Sequence, residues 1–360
     1  MKIDRLFDEY TRRDWQTRES GTVRIAMIGL GWWTVERAMP AVASSDLCET
    51  TVLVSSSREK AEAIATDHET VEHVLSYDEF HDGTARDAYD AIYVCTPNAF
   101  HLPHVEAAAD LGKDVLCEKP MEATVERAEA MVETVEDAGI TLMIAYRMHT
   151  DPAIRCMRRL IEEGFVGEPA SIHGQMGQRL LSINDDPEQW RLNPDLAGEG
   201  TSVTDLGIYP INTARFVLGA DPDRVTSFMH SSDREAFRDV PDERAAFTLA
   251  FPGGVHATCT ASQHTHQSGL FRVTGTEGRV ELEPAFFNDH AKTLTLSRAD
   301  TTAEARFDPI DQMEAEFDHF ANCLLDGRDP LPDGRHGLVD MRAIEATYEA
   351  AKRGETVRIE

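Results

Sequence analysis

Short apolar runs alternate with longer amphipathic segments between residues 23 and 147. Strands of a parallel sheet are hydrophobic over their whole length because helices cover both faces of the sheet. The pattern therefore predicts an α/β fold with a doubly wound parallel sheet of the Rossmann type. The predicted strands are 23–28, 51–54, 91–95, 115–117 and 142–145, and the predicted helices are 58–65, 101–111 and 121–137.

The pattern changes beyond residue 147. Turn sequences such as Pro252-Gly253-Gly254 join consecutive apolar runs directly, which favours hairpins. We expect an arm (1–22), a dinucleotide-binding domain (23–147) and an α+β domain (148–335) with a large, mostly antiparallel open sheet. A last helix (336–353) is expected to pack back on the first domain. The predicted strands are 170–176, 224–229, 246–251, 255–261, 270–275, 278–282 and 293–296, and the helices are 152–163, 201–218, 311–325 and 338–353.

Composition limits the classes of partner. The 64 acidic and 35 basic residues give a net charge of −29, which argues against nucleic-acid binding because phosphate contacts need a basic face. No run approaches the ~20 apolar residues of a membrane span. An acidic surface with six lysines against twenty-nine arginines is typical of a protein from a salt-rich cytoplasm. The six cysteines contain no C-x-x-C pair and are expected to be reduced.

A glycine-rich turn follows the first predicted strand. Gly29 and Gly31 are the first two glycines of a G-x-G-x-x-G motif, and Thr34 takes the third place. The first two allow a tight turn and a close approach to a pyrophosphate, whereas the third is the most replaceable. In this position, before a helix, the motif predicts a dinucleotide site.

The end of the second strand distinguishes NADP from NAD. NAD enzymes usually place an acid there to bind the ribose 2′-hydroxyl. This chain instead has Ser55-Ser56-Ser57-Arg58, with Lys60 close behind. Hydroxyls and two cations suit a 2′-phosphate, so we predict NADP. The serines also suit the N-cap of the following helix, and the two roles are compatible.

Other polar groups are expected at the same edge of the sheet. Thr96, Pro97 and Asn98 follow the strand at 91–95, where a cofactor would lie. His101 and His104, three apart, are expected to cap or line one helix face. No further ligands stand at metal-binding spacing, so no metal site is predicted.

Three residues form a candidate proton-transfer set. Lys119 follows the strand at 115–117, and the carboxyl ends of parallel strands face the ligand crevice. Asp205 and Tyr209 are four apart, so a helix would carry both on one face. Free tyrosine has a pKa near ~10, and a tyrosine base therefore needs a nearby cation such as Lys119. Each could also be structural, as a surface lysine, a helix cap and a buried phenol.

Four motifs, in this order and spacing, resemble the glucose-fructose oxidoreductase / inositol dehydrogenase family. Tyrosine at position 209 is similar to the branch that contains glucose-fructose oxidoreductase, dihydrodiol dehydrogenase and xylose dehydrogenase. Glu199 departs from the paired glycines usual at 199–200 and leaves the choice of aldose open. The motifs are Gly29-Leu30-Gly31, Thr96-Pro97-Asn98, Glu118-Lys119-Pro120 and Asp205-Leu206-Gly207-Ile208-Tyr209, and the branch also matches Ala145-Tyr146-Arg147-Met148-His149 and Gln189-Trp190-Arg191-Leu192.

The resemblance implies that the protein oxidises the C1 hydroxyl of an aldose to a lactone and transfers hydride to NADP. D-xylose is the first aldose expected as substrate. Tyr209 would take the hydroxyl proton, Lys119 would lower the pKa of Tyr209 and hold the substrate oxygen, and Asp205 would orient a substrate hydroxyl or Lys119. It also implies a homodimer or homotetramer paired through the C-terminal sheet. Another sugar or trans-dihydrodiol dehydrogenase, or a non-catalytic nucleotide-binding regulator, stays open as an alternative. The expected cofactor residues are Gly29, Gly31, Trp32, Trp33, Ser55, Ser56, Ser57, Arg58, Lys60, Thr96, Pro97, Asn98, His101, Glu118, Lys119, Arg147, Trp190 and Arg191, and the expected sugar residues are Lys119, Arg147, His149, Asp205 and Tyr209.

Overall fold

The computed structural model describes residues 13–360, which divide into two compact units. Trp15–Arg147 and Asp311–Leu338 form what we call the N-terminal unit. Met148–Ile310 and Val339–Glu360 belong to the C-terminal unit. Residues 1–12 of the predicted arm lie outside the described residues.

The N-terminal unit contains a six-stranded parallel sheet in the order β3-β2-β1-β4-β5-β6. This is the strand order of a dinucleotide-binding fold, and it confirms the predicted Rossmann sheet. The short strand β3 was missed because three residues carry too little hydrophobic pattern. The elements are β1 (Val23–Ile28), α1 (Met39–Ser44), β2 (Cys48–Val54), α2 (Arg58–Ala65), β3 (His73–Leu75), α3 (Tyr77–His81), β4 (Ala91–Val94), α4 (His101–Asp110), β5 (Asp114–Glu118), α5 (Val125–Ala138) and β6 (Leu142–Ala145).

Local sequence explains where these helices begin and end. The Ser57 hydroxyl accepts a hydrogen bond from the Lys60 N–H at the start of α2, and Ser76 and Glu79 form a capping box at α3. Thr124 caps α5, which ends at Gly139 in the left-handed conformation. Such caps satisfy N–H and C=O groups that the helix itself leaves without partners.

The C-terminal unit contains a nine-stranded sheet in the order β14-β13-β12-β11-β7-β10-β9-β8-β15. All neighbouring pairs are antiparallel except β7 and β10, which confirms the predicted, mostly antiparallel sheet. Strand β14 was not predicted, because its alternating pattern contains few apolar residues. The elements are α6 (Pro152–Glu162), β7 (Pro169–Arg179), α7 (Leu180–Ile183), α8 (Pro194–Ala197), α9 (Ile208–Leu218), β8 (Arg224–His230), β9 (Arg244–Ala250), β10 (His256–Ser262), β11 (His264–Gly275), β12 (Gly278–Glu283), β13 (Lys292–Arg298), β14 (Thr301–Phe307), α10 (Gln312–Asp326), α11 (Gly334–Arg353) and β15 (Val357–Arg358).

Helix α10 belongs to the N-terminal unit, whereas the sequence placed it in the second domain. Met313, Phe317 and Phe320 are buried in the same hydrophobic core as the strands β1 and β4. The unit boundary falls inside α11, between Leu338 and Val339. Sequence order could not reveal this return of the chain, because α10 follows the last long strands without a break in composition.

A π-helical turn lies at each of two predicted motifs, directly before helix α1 in one case and directly before helix α9 in the other. Thr34–Ala38 forms one after the glycine-rich turn, and Val203–Gly207 forms the other before α9. Such turns frequently occur at functional sites. The predicted regular helix over 201–218 is therefore wrong in its first turn, and Asp205 lies on the π-turn while Tyr209 lies in α9.

Two negative observations apply to residues 13–360. Within this range, no helix has the length and apolar character to cross a bilayer. The same residues contain no group of three or more His, Cys, Asp or Glu side chains arranged to hold a metal ion.

Candidate active site

The glycine-rich turn packs tightly at Gly29 and leaves open space at Gly31. Gly29 has φ +88°, and a Cβ there would lie 2.6 Å from the Cys95 carbonyl oxygen, so only glycine fits. A Cβ on Gly31 would meet none of the described atoms within 4 Å. The Thr34 hydroxyl is buried and donates to the Gly29 carbonyl at 2.7 Å, which explains threonine at the third motif position. The turn thus packs against the end of β4 at Gly29 and leaves open space at Gly31, where a phosphate could approach the backbone.

The end of β2 carries no carboxylate, as predicted. Ser55 is buried and accepts from the Ser57 N–H, and the Ser57 hydroxyl caps α2. The Lys60 ammonium donates to the Leu30 carbonyl at 2.6 Å, which places it beside the glycine-rich turn. Arg58 points elsewhere, since it pairs with Glu79 and donates to the Val74 carbonyl. Of the two predicted cations, Lys60 is therefore the one whose contact with the glycine-rich turn is seen.

The end of β4 supplies a buried hydroxyl. Thr96 Oγ1 has no hydrogen-bond partner among residues 13–360, and such an atom favours a ligand that would satisfy it. Asn98, two residues after Thr96, is buried. Together with the open glycine-rich turn, this hydroxyl fits a dinucleotide cofactor.

His101 has a structural position. Its ring is fully buried, and its two nitrogens lie 2.9 Å from the Thr96 carbonyl oxygen and 3.1 Å from that of Met121. The ring therefore connects the loops after β4 and β5, and its predicted contact with the cofactor stays a prediction. His104 contacts His81 at 3.0 Å, and burial, followed by His81, lowers its pKa to about 3.

Glu118 anchors the loop that carries Lys119. Its Oε1 accepts hydrogen bonds from the Trp33 indole at 3.0 Å and the Tyr93 hydroxyl at 2.7 Å, and its Oε2 accepts from the Lys119 N–H at 3.2 Å. Glu118 and Trp33 were predicted as cofactor residues, and the structure pairs them with each other. Trp32 is exposed, and the Arg37 guanidinium lies over its ring.

Arg147 is buried after β6 and donates to the Gln312 side chain. Gln312 lies at the start of α10, so the return of the chain to the N-terminal unit brings a polar partner to this arginine. The prediction of a sugar contact for Arg147 stays a prediction.

Asp205 is held in place by two side chains of the C-terminal unit. Its Oδ2 accepts from the Gln263 amide at 2.8 Å, and the Arg191 Nε lies 3.5 Å away. The Gln263 side chain is buried, and its oxygen accepts from the Gln178 amide at 3.0 Å. The Arg191 guanidinium stacks 4.4 Å over the Trp190 ring. Gln263 could not be predicted from the sequence, because a single glutamine in a polar run has no distinctive spacing.

The turn before Asp205 is fixed by a buried carboxylate. Asp242 accepts from the N–H groups of Thr201 at 2.8 Å and Val203 at 2.7 Å, and from the Tyr348 hydroxyl at 2.7 Å. Desolvation raises the pKa of Asp242 to about 6, although these donors oppose the shift. A Cβ on Gly200 would lie 2.3 Å from Asp242 Oδ1, so the sequence needs glycine there. Sequence reasoning missed Asp242, which lies in an ordinary acidic loop.

Tyr209 packs its ring 5.8 Å from that of Phe286 and is partly exposed. His149 is nearly fully buried, stacks 4.0 Å from Phe216 and contacts the Asn212 side chain at 2.9 Å. His149 thus lies in the packed interior of its unit, and its predicted contact with the sugar stays a prediction. Glu199 pairs with Lys352 at 2.9 Å, an exposed contact beside the fixed turn.

Comparison with known proteins decides the family. The description "Oxidoreductase family, NAD-binding Rossmann fold" matches residues 23–146, and "GFO/IDH/MocA C-terminal domain" matches residues 154–281. The chain belongs to the Gfo/Idh/MocA oxidoreductase family. The resemblance found in the motifs is therefore confirmed.

Individual Gfo/Idh/MocA proteins are similar over nearly the whole chain. D-xylose 1-dehydrogenase [NADP(+)] of Haloarcula marismortui is 56% identical, with 100% of both chains covered. D-xylose 1-dehydrogenase (NADP(+)) 2 of Haloferax volcanii is 33% identical over 93% of this chain and 99% of the relative. The crystal structure of aldose-aldose oxidoreductase from Caulobacter crescentus, complexed with glycerol, has a TM-score of 0.87 at 34% identity over 94% of this chain and 99% of that one.

Proposed function

We propose that this protein oxidises an aldose at C1, D-xylose in the first place, and transfers hydride to NADP⁺. The observation that carries the proposal is the 56% identity, over both full chains, to an enzyme named D-xylose 1-dehydrogenase [NADP(+)]. The C1–H bond breaks with its electron pair going to the nicotinamide, the C1 hydroxyl loses its proton, and the cyclic sugar becomes D-xylonolactone. NADP⁺ supplies the hydride acceptor in this reaction.

We assign the proton transfer to Tyr209. A phenol is a usable base only where a cation favours its phenolate, and Lys119 is the cation we assign to that role and to the substrate oxygen. Asp205 orients a sugar hydroxyl through the carboxylate that Gln263 and Arg191 hold. The alternative in which Asp205 orients Lys119 predicts instead that loss of Asp205 changes turnover for every sugar equally.

NADP is supported by the end of β2. The carboxyl end of β2 and the serines that follow it carry no carboxylate that would repel a 2′-phosphate, and the Lys60 ammonium lies beside the glycine-rich turn. Ser55, Ser56 and Ser57 supply hydroxyls close by in sequence. Phosphate recognition by hydroxyls and a cation is the expected chemistry.

The uncovered face of the C-terminal sheet supports pairing with a second copy. Phe228 is 77% exposed, and a cross-strand row continues from it through Ala246, Thr260 and Gln175 to Leu270. None of these five side chains carries a charge. An uncharged row on an open sheet face suits burial between subunits, so we propose a homodimer or homotetramer. The six cysteines form no disulfide within residues 13–360, which accords with a reducing cytoplasm, where we expect the enzyme to act.

The test is reduction of NADP and of NAD by xylose, glucose, arabinose and a cyclic trans-diol in molar salt. We expect xylose with NADP to give the highest kcat/KM, and Tyr209→Phe to lose ~100-fold or more. Turnover of the diol alone would favour the dihydrodiol alternative. Reduction of neither cofactor by any substrate would leave a nucleotide-binding regulator, and near wild-type turnover in Tyr209→Phe would remove Tyr209 from its role.

A further inference from the structure

The carboxyl of Glu316 is buried without a hydrogen-bond partner. It lies on α10, its residue is 1% exposed, and neither of its oxygens finds a donor among residues 13–360. Carboxyls in this situation are costly to bury and are retained where they interact with other charges. None of the residue roles assigned above uses it.

The neighbours of Glu316 on α10 show which way it faces. Gln312, one turn earlier, accepts from Arg147 at the end of β6. Phe317 packs 5.0 Å from the Tyr93 ring, and the Tyr93 hydroxyl donates to Glu118 at the end of β5. Residues four apart share a helix face. Glu316 therefore lies toward the carboxyl ends of β5 and β6, which carry Lys119 and Arg147.

Four ionisable groups lie at that edge of the parallel sheet. Glu118 and Lys119 come from the end of β5, Arg147 from the end of β6 and Tyr93 from β4. Burial, followed by the charge of Glu118, raises the pKa of Glu316 well above its usual range, while Arg147 and Lys119 oppose the rise. Glu118 is already fixed by Trp33, Tyr93 and the Lys119 N–H. Glu316 can thus change its protonation without breaking a hydrogen bond to any of residues 13–360.

We propose that Glu316 is a positioning residue for Lys119, and that loss of its proton fixes the Lys119 ammonium for the reaction. The proposal rests on the proposed function, in which Lys119 assists Tyr209. In the protonated form Glu316 gives Lys119 no counter-charge. In the ionised form it places a second carboxylate beside two cations and stabilises the ammonium.

The activity-independent test is thermal unfolding as a function of pH. A carboxyl whose pKa is higher in the folded state stabilises the fold below its unfolded pKa, and this contribution is lost as pH rises through the folded pKa. We expect Glu316→Gln to equal wild type at low pH and to become relatively more stable as pH rises. Glu314→Gln, on the same helix but partly exposed, is the control and should give no such divergence. Parallel curves for wild type and Glu316→Gln would overturn the proposal.

The coupling to Lys119 is tested with Lys119→Met. An opposite charge at ~4–6 Å shifts a carboxyl pKa by ~1–3 units, so removing the ammonium should move the midpoint of the Glu316 effect up by about one pH unit. An unchanged midpoint would show that Lys119 and Glu316 do not interact.

The catalytic readout is the pH profile of kcat/KM for the sugar. We expect Glu316→Gln to match wild type at low pH, where both side chains are neutral, and to lose about tenfold in kcat at the pH values where Glu316 is ionised. The alkaline limb should therefore move to lower pH, because the Lys119 ammonium loses a counter-charge, with KM for NADP unchanged. A uniform loss of rate at every pH would indicate a structural role and overturn the proposal. If no sugar is oxidised by wild type, the proposed function fails, while the unfolding curves still decide whether Glu316 and Lys119 are coupled.

Discussion

Replacing Lys60 by methionine should raise KM for NADP and leave KM for NAD unchanged. The Lys60 ammonium lies beside the glycine-rich turn, 2.6 Å from the Leu30 carbonyl, and methionine keeps much of the side chain's length while removing its charge. A hydrogen bond to a charged group contributes ~1.5–3 kcal/mol, and because Lys60 is exposed and molar salt screens it, we take ~1–2 kcal/mol. The expected rise in KM for NADP is therefore ~5- to 30-fold.

The matched control is Arg58→Met. Arg58 is also a cation of α2, but it pairs with Glu79 and the Val74 carbonyl, so its loss should change KM for NADP less. The assay is initial-rate reduction of both cofactors at saturating sugar and constant molar salt, with KM for NAD unchanged in Lys60→Met. An equal rise in KM for NAD and NADP would refute the reasoning, because it would show a role in binding the shared part of the cofactor. A larger effect in Arg58→Met would assign the 2′-phosphate to Arg58.

Three further changes test other parts of the molecule. Gln263→Ala should lower kcat/KM for the sugar about tenfold without altering KM for NADP, since it removes one support of Asp205; unaltered sugar kinetics would contradict this. Asp242 has a pKa raised to about 6, so its contribution to stability is lost as pH rises through about 6; Asp242→Asn should flatten that part of the pH dependence of unfolding, and an identical slope would count against it. Phe228→Asp should shift sedimentation toward smaller species, whereas a monomeric wild type would exclude pairing through this face.

The parallel sheet and the motif positions could be predicted because each depends on local sequence. Gly29 is required because its φ is positive and because a Cβ there would lie 2.6 Å from the Cys95 carbonyl oxygen. Ser57 caps the helix that brings Lys60 to the turn. These constraints involve residues close in sequence or a single strand end. They therefore leave a readable pattern.

The groups that support the site could not be predicted for the opposite reason. Asp242 fixes the turn before Asp205 from about forty residues away, and Gln263 reaches Asp205 from another strand. Glu316 joins the group at the ends of β5 and β6 only because α10 returns to the N-terminal unit. Such contacts depend on tertiary packing. One aspartate or glutamate among 64 acidic residues has no distinguishing spacing, and neither has a single glutamine.

The acidic surface and the buried carboxyls respond to different conditions. At 1 M salt the screening length is ~3 Å, so the repulsion among surface charges is largely removed, while buried groups such as Asp242 and Glu316 are screened much less. Salt should therefore change the midpoint of unfolding through the net charge of −29 without moving the pH at which Glu316 loses its proton. In the proposed reaction, a proton-transfer group that works in molar salt needs partners that salt screens little. Burial of Glu316 beside Glu118, Lys119 and Arg147 meets that requirement, which gives a physical reason for keeping a costly carboxyl inside the N-terminal unit.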